Sequence, residues 1–347
     1  MTTSTQAQPS DERFELMMTW LGSLAEKYGL RLETTASASS DAGFRRYFRV
    51  GARGSVQSYI VMDAPPGKED IRPFIRMDAT CIRAGINPPR ILEADERLGF
   101  MLLSDLGRDT YLDRLKEDRS LAPKYFDAAT TALVALQAVS APGIVPEYSE
   151  EKIRGELELF PEWYVRRHRG SDLSPEEKQV WESVCRKLTS SMLAEEKVIV
   201  HRDFMPRNLM VSDPMPGVLD FQDALYGPVS YDIASLMRDA FISWDEEFTI
   251  DISVRYWEKA RRAGIPVPAD FGEFWRQIEW TGMQRHLKVL GIFARLKYRD
   301  GKPKYLEDAP RFIAYVRHAA YRYSELKPIL VIIDRLEGQS REEGWTY

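Results

Sequence analysis

The chain has 347 residues, 44% hydrophobic and 29% charged, the balance of a soluble globular protein with enough length for two lobes around their own cores. A net charge of −5 without a sustained basic stripe excludes a nucleic-acid footprint, and no run of 18 apolar residues offers a membrane span. Cys81 and Cys185 stand alone and far apart, so neither a disulfide framework nor a zinc site is implied, and the polar opening MTTSTQAQPSDER has no signal-peptide pattern. A cytoplasmic monomer with a disordered tail over 1–12 is expected.

Phe14, Met17, Trp20, Leu21, Leu24 and Tyr28 share one helical face over 13–28, and Gly29 stops that helix. Short, partly alternating segments at 30–36, 44–50 and 57–62 read as antiparallel strands, and strand signals return at 90–94 and 98–103 after a helix near 69–84. The rest is mostly helical: 122–139, then 149–169 with Pro161 expected to end or kink it, then 174–194 opened by the capping box Ser174-Pro175-Glu176-Glu177. Tyr231-Asp232 opens a helix through 243 with Asp232 as N-cap, and Asp245 and Asp270 suit the caps of two later helices.

The chemistry concentrates in residues 197–223, KVIVHRDFMPRNLMVSDPMPGVLDFQD. Val198-Ile199-Val200 leads into His201-Arg202-Asp203; Asn208 follows, then a short apolar run, a Pro/Gly turn, and Val218-Leu219 ending at Asp220. That is strand, loop, strand, turn, strand, with polar groups where strands end. Phosphoryl transfer from ATP uses one carboxylate for the proton of the attacking hydroxyl, and an amide oxygen plus a second carboxylate for Mg²⁺. Asp203 suits the first role; Asn208 and Asp220 suit the second.

HRDFMPRN followed by LDFQD resembles the catalytic and metal-binding segments of the protein-kinase-like superfamily, in its aminoglycoside-phosphotransferase branch. With SSDAGFRRYFRV, VMDAPP, ELFPEWYV, GVLDFQDALYGPVSYDIASL, QRHLKVLGIFARL and RDGKPKYL, the chain is similar to the bacterial anomeric kinases of N-acetylmuramate and N-acetylglucosamine, which serve peptidoglycan recycling. The resemblance spans about residues 35–320. It implies an α+β, bilobal fold: an antiparallel N-lobe over 13–104 and a mostly helical C-lobe over 105–347.

The same resemblance implies ATP and Mg²⁺ as cofactors and adenine contacts at Ser104 and Leu106. His201, Asp223 and Asp232 would support the catalytic loop. The loop Ser37–Gly43, with Ser40, would cover the phosphates, although it holds a single glycine. Where a phosphate-pairing Lys is usual, the third strand has Met62, so Arg45 or Arg46 is expected to supply the missing charge. Only eleven residues separate Asp220 from Asp232, too few for the segment that docks a protein substrate, which favours a small hydroxyl acceptor. For an amino sugar, Glu158, Trp163, Arg166, Gln284 and Arg285 are candidate contacts, with Arg285 or Arg166 facing the lactyl carboxylate of N-acetylmuramate. Kinases of other alcohols (aminoglycoside, choline, homoserine) and a non-catalytic pseudokinase are the alternatives.

Overall fold

The computed structural model describes residues 11–40, 44–54 and 58–338. Residues 1–10 of the expected tail, residues 41–43 of the expected phosphate-covering loop and the side chain of Ser40 lie outside the described residues, whereas Ser37–Ser40, read as part of that loop, end the first strand. The chain divides into two compact units, Met1–Ala79 with Pro88–Gly107, and Thr80–Asn87 with Arg108–Tyr347.

The first unit opens with helix α1, Glu12–Tyr28, capped by Asp11, whose carboxylate accepts the Phe14 N–H at 3.1 Å. Gly29 closes it in the left-handed conformation (φ 63°), which glycine adopts without strain. Strands β1 (Leu30–Ser40), β2 (Arg46–Ala52) and β3 (Ser58–Asp63) follow, then helix α2 (Arg72–Arg83), β4 (Ile91–Asp95) and β5 (Phe100–Ser104). They form one sheet in the order β1-β2-β3-β5-β4, every pairing antiparallel. Its buried core joins Met17 and Leu21 of α1 to Leu30, Val50, Val61, Phe100 and Leu102. Met62 is 1% exposed and faces Tyr47 and Met101 in the ladder.

The second unit is mainly helical. Helices α3 (Tyr111–Glu117), α4 (Ala122–Ala138) and α5 (Glu150–Leu157) are followed by a π-helical stretch, Phe160–His168, and by α6 (Pro175–Ala194). Pro161 lies in the first turn of the π-helical stretch, so the segment read as one interrupted helix is two elements. The capping box at Ser174 and Glu177 forms. Strand β6 (Lys197–Val200), the two-residue strands β7 (Leu209–Met210) and β8 (Gly217–Val218), and β9 (Leu225–Pro228) build two small antiparallel ribbons, β6 with β9 and β7 with β8. Helices α7 (Tyr231–Met237), α8 (Glu246–Arg262), α9 (Phe271–Tyr298), α10 (Ala309–Arg322) and α11 (Leu330–Glu337) complete the unit.

Asp245 and Asp270 cap α8 and α9, accepting the N–H groups of Phe248 and Glu273 at 2.8 and 2.9 Å. Asp232 is no cap: Ser230 holds that position, and α7 stops at Met237 rather than 243 because Asp239 turns the chain by accepting the N–H groups of Phe241 and Ile242. Cys81 and Cys185 are buried free thiols. Among the described residues no helix is long and apolar enough to cross a membrane.

Candidate active site

The buried apolar strand β6 delivers His201 to the start of a loop whose main chain is pinned from below. The Asp232 carboxylate accepts the His201 N–H at 2.7 Å and the Arg202 N–H at 2.9 Å. Arg202 sits at φ 76°, a conformation that strains an L side chain and persists only where its surroundings dictate it. His201 meets the Leu219 carbonyl oxygen through Nε2 at 2.9 Å, tying the loop to the residue before Asp220. Burial pulls the His201 pKa down to about 4, so the ring is neutral and donates to that carbonyl.

Asn208 closes the constellation. Its Nδ2 donates to the Asp203 carbonyl oxygen at 2.9 Å and to Asp220 Oδ2 at 3.4 Å, while the main-chain carbonyl of Asn208 accepts the Leu219 N–H at 2.9 Å. Asp220, also at positive φ (65°), accepts Gln222 Nε2 at 2.7 Å, and the same amide reaches Asp223 Oδ2 at 3.5 Å. Asp203, Asn208 and Asp220 therefore occupy one neighbourhood and stay partly exposed. Asn208 turns its NH₂ toward Asp220, and an amide oxygen with a carboxylate from two such neighbouring side chains are donor types that suit a hard cation.

The surroundings of Asp203 are cationic. Burial works to raise its pKa, but Lys288, Arg285 and Arg202 outweigh it and hold the carboxyl below the usual range. Arg202 reaches Glu156, a buried carboxylate that also takes the Tyr148 hydroxyl, Gln284 Nε2 at 3.3 Å and Lys288 Nζ at 3.4 Å. Burial opposes ionisation of Glu156, yet Lys288 and Arg202 bring its pKa down to about 2. Asp232 behaves in the opposite way: burial lifts it to about 7 despite its two main-chain donors.

Gln284 and Arg285 thus belong to the Asp203 neighbourhood. Glu158, Trp163 and Arg166 have partners elsewhere: Glu158 accepts the Trp181 indole N–H at 3.4 Å, Trp163 lies under the Arg167 guanidinium at 5.3 Å, and Arg166 pairs with Glu162 and Asp172 at 2.7 and 2.9 Å. In the first unit, Arg46 binds Asp63 at 2.6 Å and also Asp11, while Arg45 directly precedes β2. Ser104 Oγ accepts the Arg90 N–H at 2.8 Å. Next to it, Asp105 gathers Arg49, the Ser58 hydroxyl and the Gly107 N–H, which positions the stretch containing Leu106.

Glu156 and Lys288 lie in the two stretches, 154–167 and 280–295, whose mixture of carboxylates, aromatics and cations reads as a sugar site, whereas Tyr148 and Tyr231 were not singled out from sequence as site residues. The signal for Lys288 is its four-residue spacing from Gln284, which puts both on one face of α9. Among the described residues, Glu246, Glu279 and His318 could together ligate a metal ion, but Arg322 bridges both carboxylates and already supplies the positive charge.

Residues 34–267 match the model of the phosphotransferase enzyme family. An N-acetylmuramate/N-acetylglucosamine kinase from Pseudomonas aeruginosa is 50% identical over 323 residues, covering 91% of this chain and 94% of that protein. The enzyme of the same name from Neisseria meningitidis is 49% identical, covering 89% of this chain and 93% of its own. Among solved structures, an amicoumacin kinase in complex with AMP-PNP and Ca²⁺ shares the fold with a TM-score of 0.60 at 16% identity, covering 87% of this chain and 94% of that one.

Proposed function

The chain belongs to the phosphotransferase enzyme family, and from that premise we propose that it transfers the γ-phosphoryl group of ATP to the anomeric hydroxyl of N-acetylmuramate and N-acetylglucosamine. The observation that carries the reading is the single amide of Asn208 joining Asp203 to Asp220, set in a chain half-identical to kinases of these sugars. The sugar 1-phosphates so formed place the enzyme in peptidoglycan recycling.

Asp203 orients the anomeric hydroxyl and accepts its proton as the oxygen attacks the γ-phosphorus; the bond to the β-γ bridging oxygen breaks and ADP leaves. An anomeric hydroxyl is more acidic than an ordinary alcohol, so a carboxylate held below its usual pKa by Lys288 and the two arginines still serves as base. Asn208 and Asp220 would hold Mg²⁺, which neutralises phosphate charge when bound. The Ser104 carbonyl and the Leu106 N–H recognise adenine, and Arg45 serves the phosphates in place of the strand lysine that Met62 replaces, since Arg46 already holds Asp63 and Asp11. Gln284 meets sugar hydroxyls. Arg285, 2% exposed with no hydrogen-bond partner for Nη1 among the described residues, takes the lactyl carboxylate of N-acetylmuramate; Arg166 already has two carboxylates.

A coupled ADP-release assay with Mg²⁺-ATP tests the proposal against N-acetylmuramate, N-acetylglucosamine, kanamycin, choline and homoserine, with ³¹P NMR of the products. Turnover of the two amino sugars with a phosphate on C1 is expected. Turnover confined to another alcohol, or none with any, overturns it.

A further inference from the structure

Arg202 precedes Asp203, and its left-handed backbone sets the direction in which the Asp203 side chain leaves the main chain. Two handles hold it there. The main-chain handle is its N–H on Asp232, in the first turn of α7. The side-chain handle is its guanidinium on Glu156, assisted by the Asp223 carbonyl at 3.3 Å.

Glu156 leads back to the same helix. Its Oε2 lies 3.4 Å from Lys288 Nζ, and Lys288 donates to the hydroxyl of Tyr231 at 3.1 Å; Tyr231 is the first residue of α7. The contacts close a ring: Arg202, Glu156, Lys288, Tyr231, the first turn of α7, Asp232, and Arg202 again. Glu156, Lys288, Tyr231 and Asp232 are all less than a tenth exposed, so solvent has little access to the contacts among them. Gln284, one turn before Lys288, and Tyr148 fill the remaining positions on the Glu156 carboxylate.

The charges are interlocked as well. One carboxylate, Glu156, serves two cations, the buried Lys288 and the largely buried Arg202. Losing it would leave both without their partner inside the protein, the costly case for buried ions. A pair that served packing alone could be replaced by apolar groups; a ring that returns to the residue beside the catalytic carboxylate constrains where that carboxylate points.

We propose that Glu156 and Lys288 are positioning residues for phosphoryl transfer, holding Asp203 in its reactive orientation through the ring that closes on Arg202. The proposal rests on the kinase reading above for its kinetic consequence, not for its structural one. Neither residue needs to touch substrate. The defect on removing them therefore falls on kcat rather than on KM.

The test is a double-mutant cycle of Glu156→Gln and Lys288→Met, with Lys288→Arg as the conservative variant. Each single change should lower kcat by about 10- to 100-fold, with KM for ATP and for the sugar within about threefold of wild type. The double variant, with charge balance restored, should be no slower than Glu156→Gln alone. Lys288→Arg should recover most of the loss. Hydrogen exchange by mass spectrometry, run without substrate, should show faster exchange of the 199–204 segment in Glu156→Gln than in wild type, with α8 unchanged. Wild-type kcat in folded single variants, multiplicative losses in the double variant, or a defect confined to the KM for sugar would overturn the proposal. If the wild-type protein phosphorylates neither amino sugar, the kinase reading fails by itself and the exchange of 199–204 alone decides the ring.

Discussion

Asn208 Nδ2 donates to the Asp203 carbonyl oxygen at 2.9 Å, so the side chain proposed to hold a cation also fixes the main chain of the proposed base. The two roles are coupled by one amide, and substitutions separate them. Asp203→Asn keeps the carbonyl contact and removes only the base, so kcat should fall about 10²- to 10⁴-fold with KM for ATP little changed. Asn208→Ala should cost at least as much in kcat/KM and also raise the Mg²⁺ concentration for half-maximal rate. Steady-state kinetics over a Mg²⁺ titration, with EDTA abolishing turnover and Mg²⁺ restoring it, checks both.

Arg285 should sort the two sugars. Arg285→Met is expected to reduce kcat/KM for N-acetylmuramate about tenfold or more beyond its effect on N-acetylglucosamine, as one charge-assisted hydrogen bond to a carboxylate would require. Equal losses on both sugars would remove the carboxylate contact.

Asp232 accepts two main-chain N–H groups, those of His201 and Arg202, which find no other acceptor among the described residues. Asp232→Asn keeps one acceptor oxygen and turns an NH₂ toward the second donor. Destabilisation of about 2–4 kcal/mol is expected from urea unfolding, as for other broken buried networks.

Glu195 gives stability a pH dependence of its own. It is 4% exposed, accepts the Ser230 N–H and hydroxyl and the Thr281 hydroxyl at 2.9–3.1 Å, and burial lifts its pKa to about 7. The folded protein therefore binds a proton that the unfolded chain releases near the ordinary value of 4.5. Below that value neither state differs in protonation. As pH rises from about 4.5 to 7, the folded state loses stability, by up to about 3 kcal/mol for a shift of this size. Glu195→Gln should flatten that part of the profile. Asp232 contributes with the same sign, so the difference between wild type and variant, measured by thermal unfolding across pH 4.5–8, isolates Glu195.

Two glycines in helices should respond with opposite sign. A Cβ on Gly291 of α9 would stand 2.4 Å from the Leu159 carbonyl, against fixed backbone, whereas one on Gly155 of α5 meets nothing within 4 Å. Gly291→Ala should destabilise by about 1–3 kcal/mol through overpacking, and Gly155→Ala should stabilise by about 0.5–1 kcal/mol through helix propensity. Denaturant melts of the two variants decide.

The Asp203, Asn208 and Asp220 set was legible from the sequence because it is local: it spans eighteen positions, with apolar runs marking the strands that bring its ends together. Helix starts were legible for the same reason, since a cap and the donor it satisfies lie three residues apart, as at Ser174 and Asp245. Asp232 looked like another such cap, but its partners are some thirty residues away and left no spacing to read.

What the sequence determined by itself is thus the chemistry of short spacings: which strands end in polar groups, where helices begin, and which residue types are available for phosphoryl transfer. What only the tertiary structure decided is the company those residues keep. Glu156 meets Lys288 across 132 positions, and Met62 is enclosed by neighbouring strands where a lysine was expected. A buried carboxylate takes its charge state from the cations that folding brings to it, and sequence spacing carries no record of that distance.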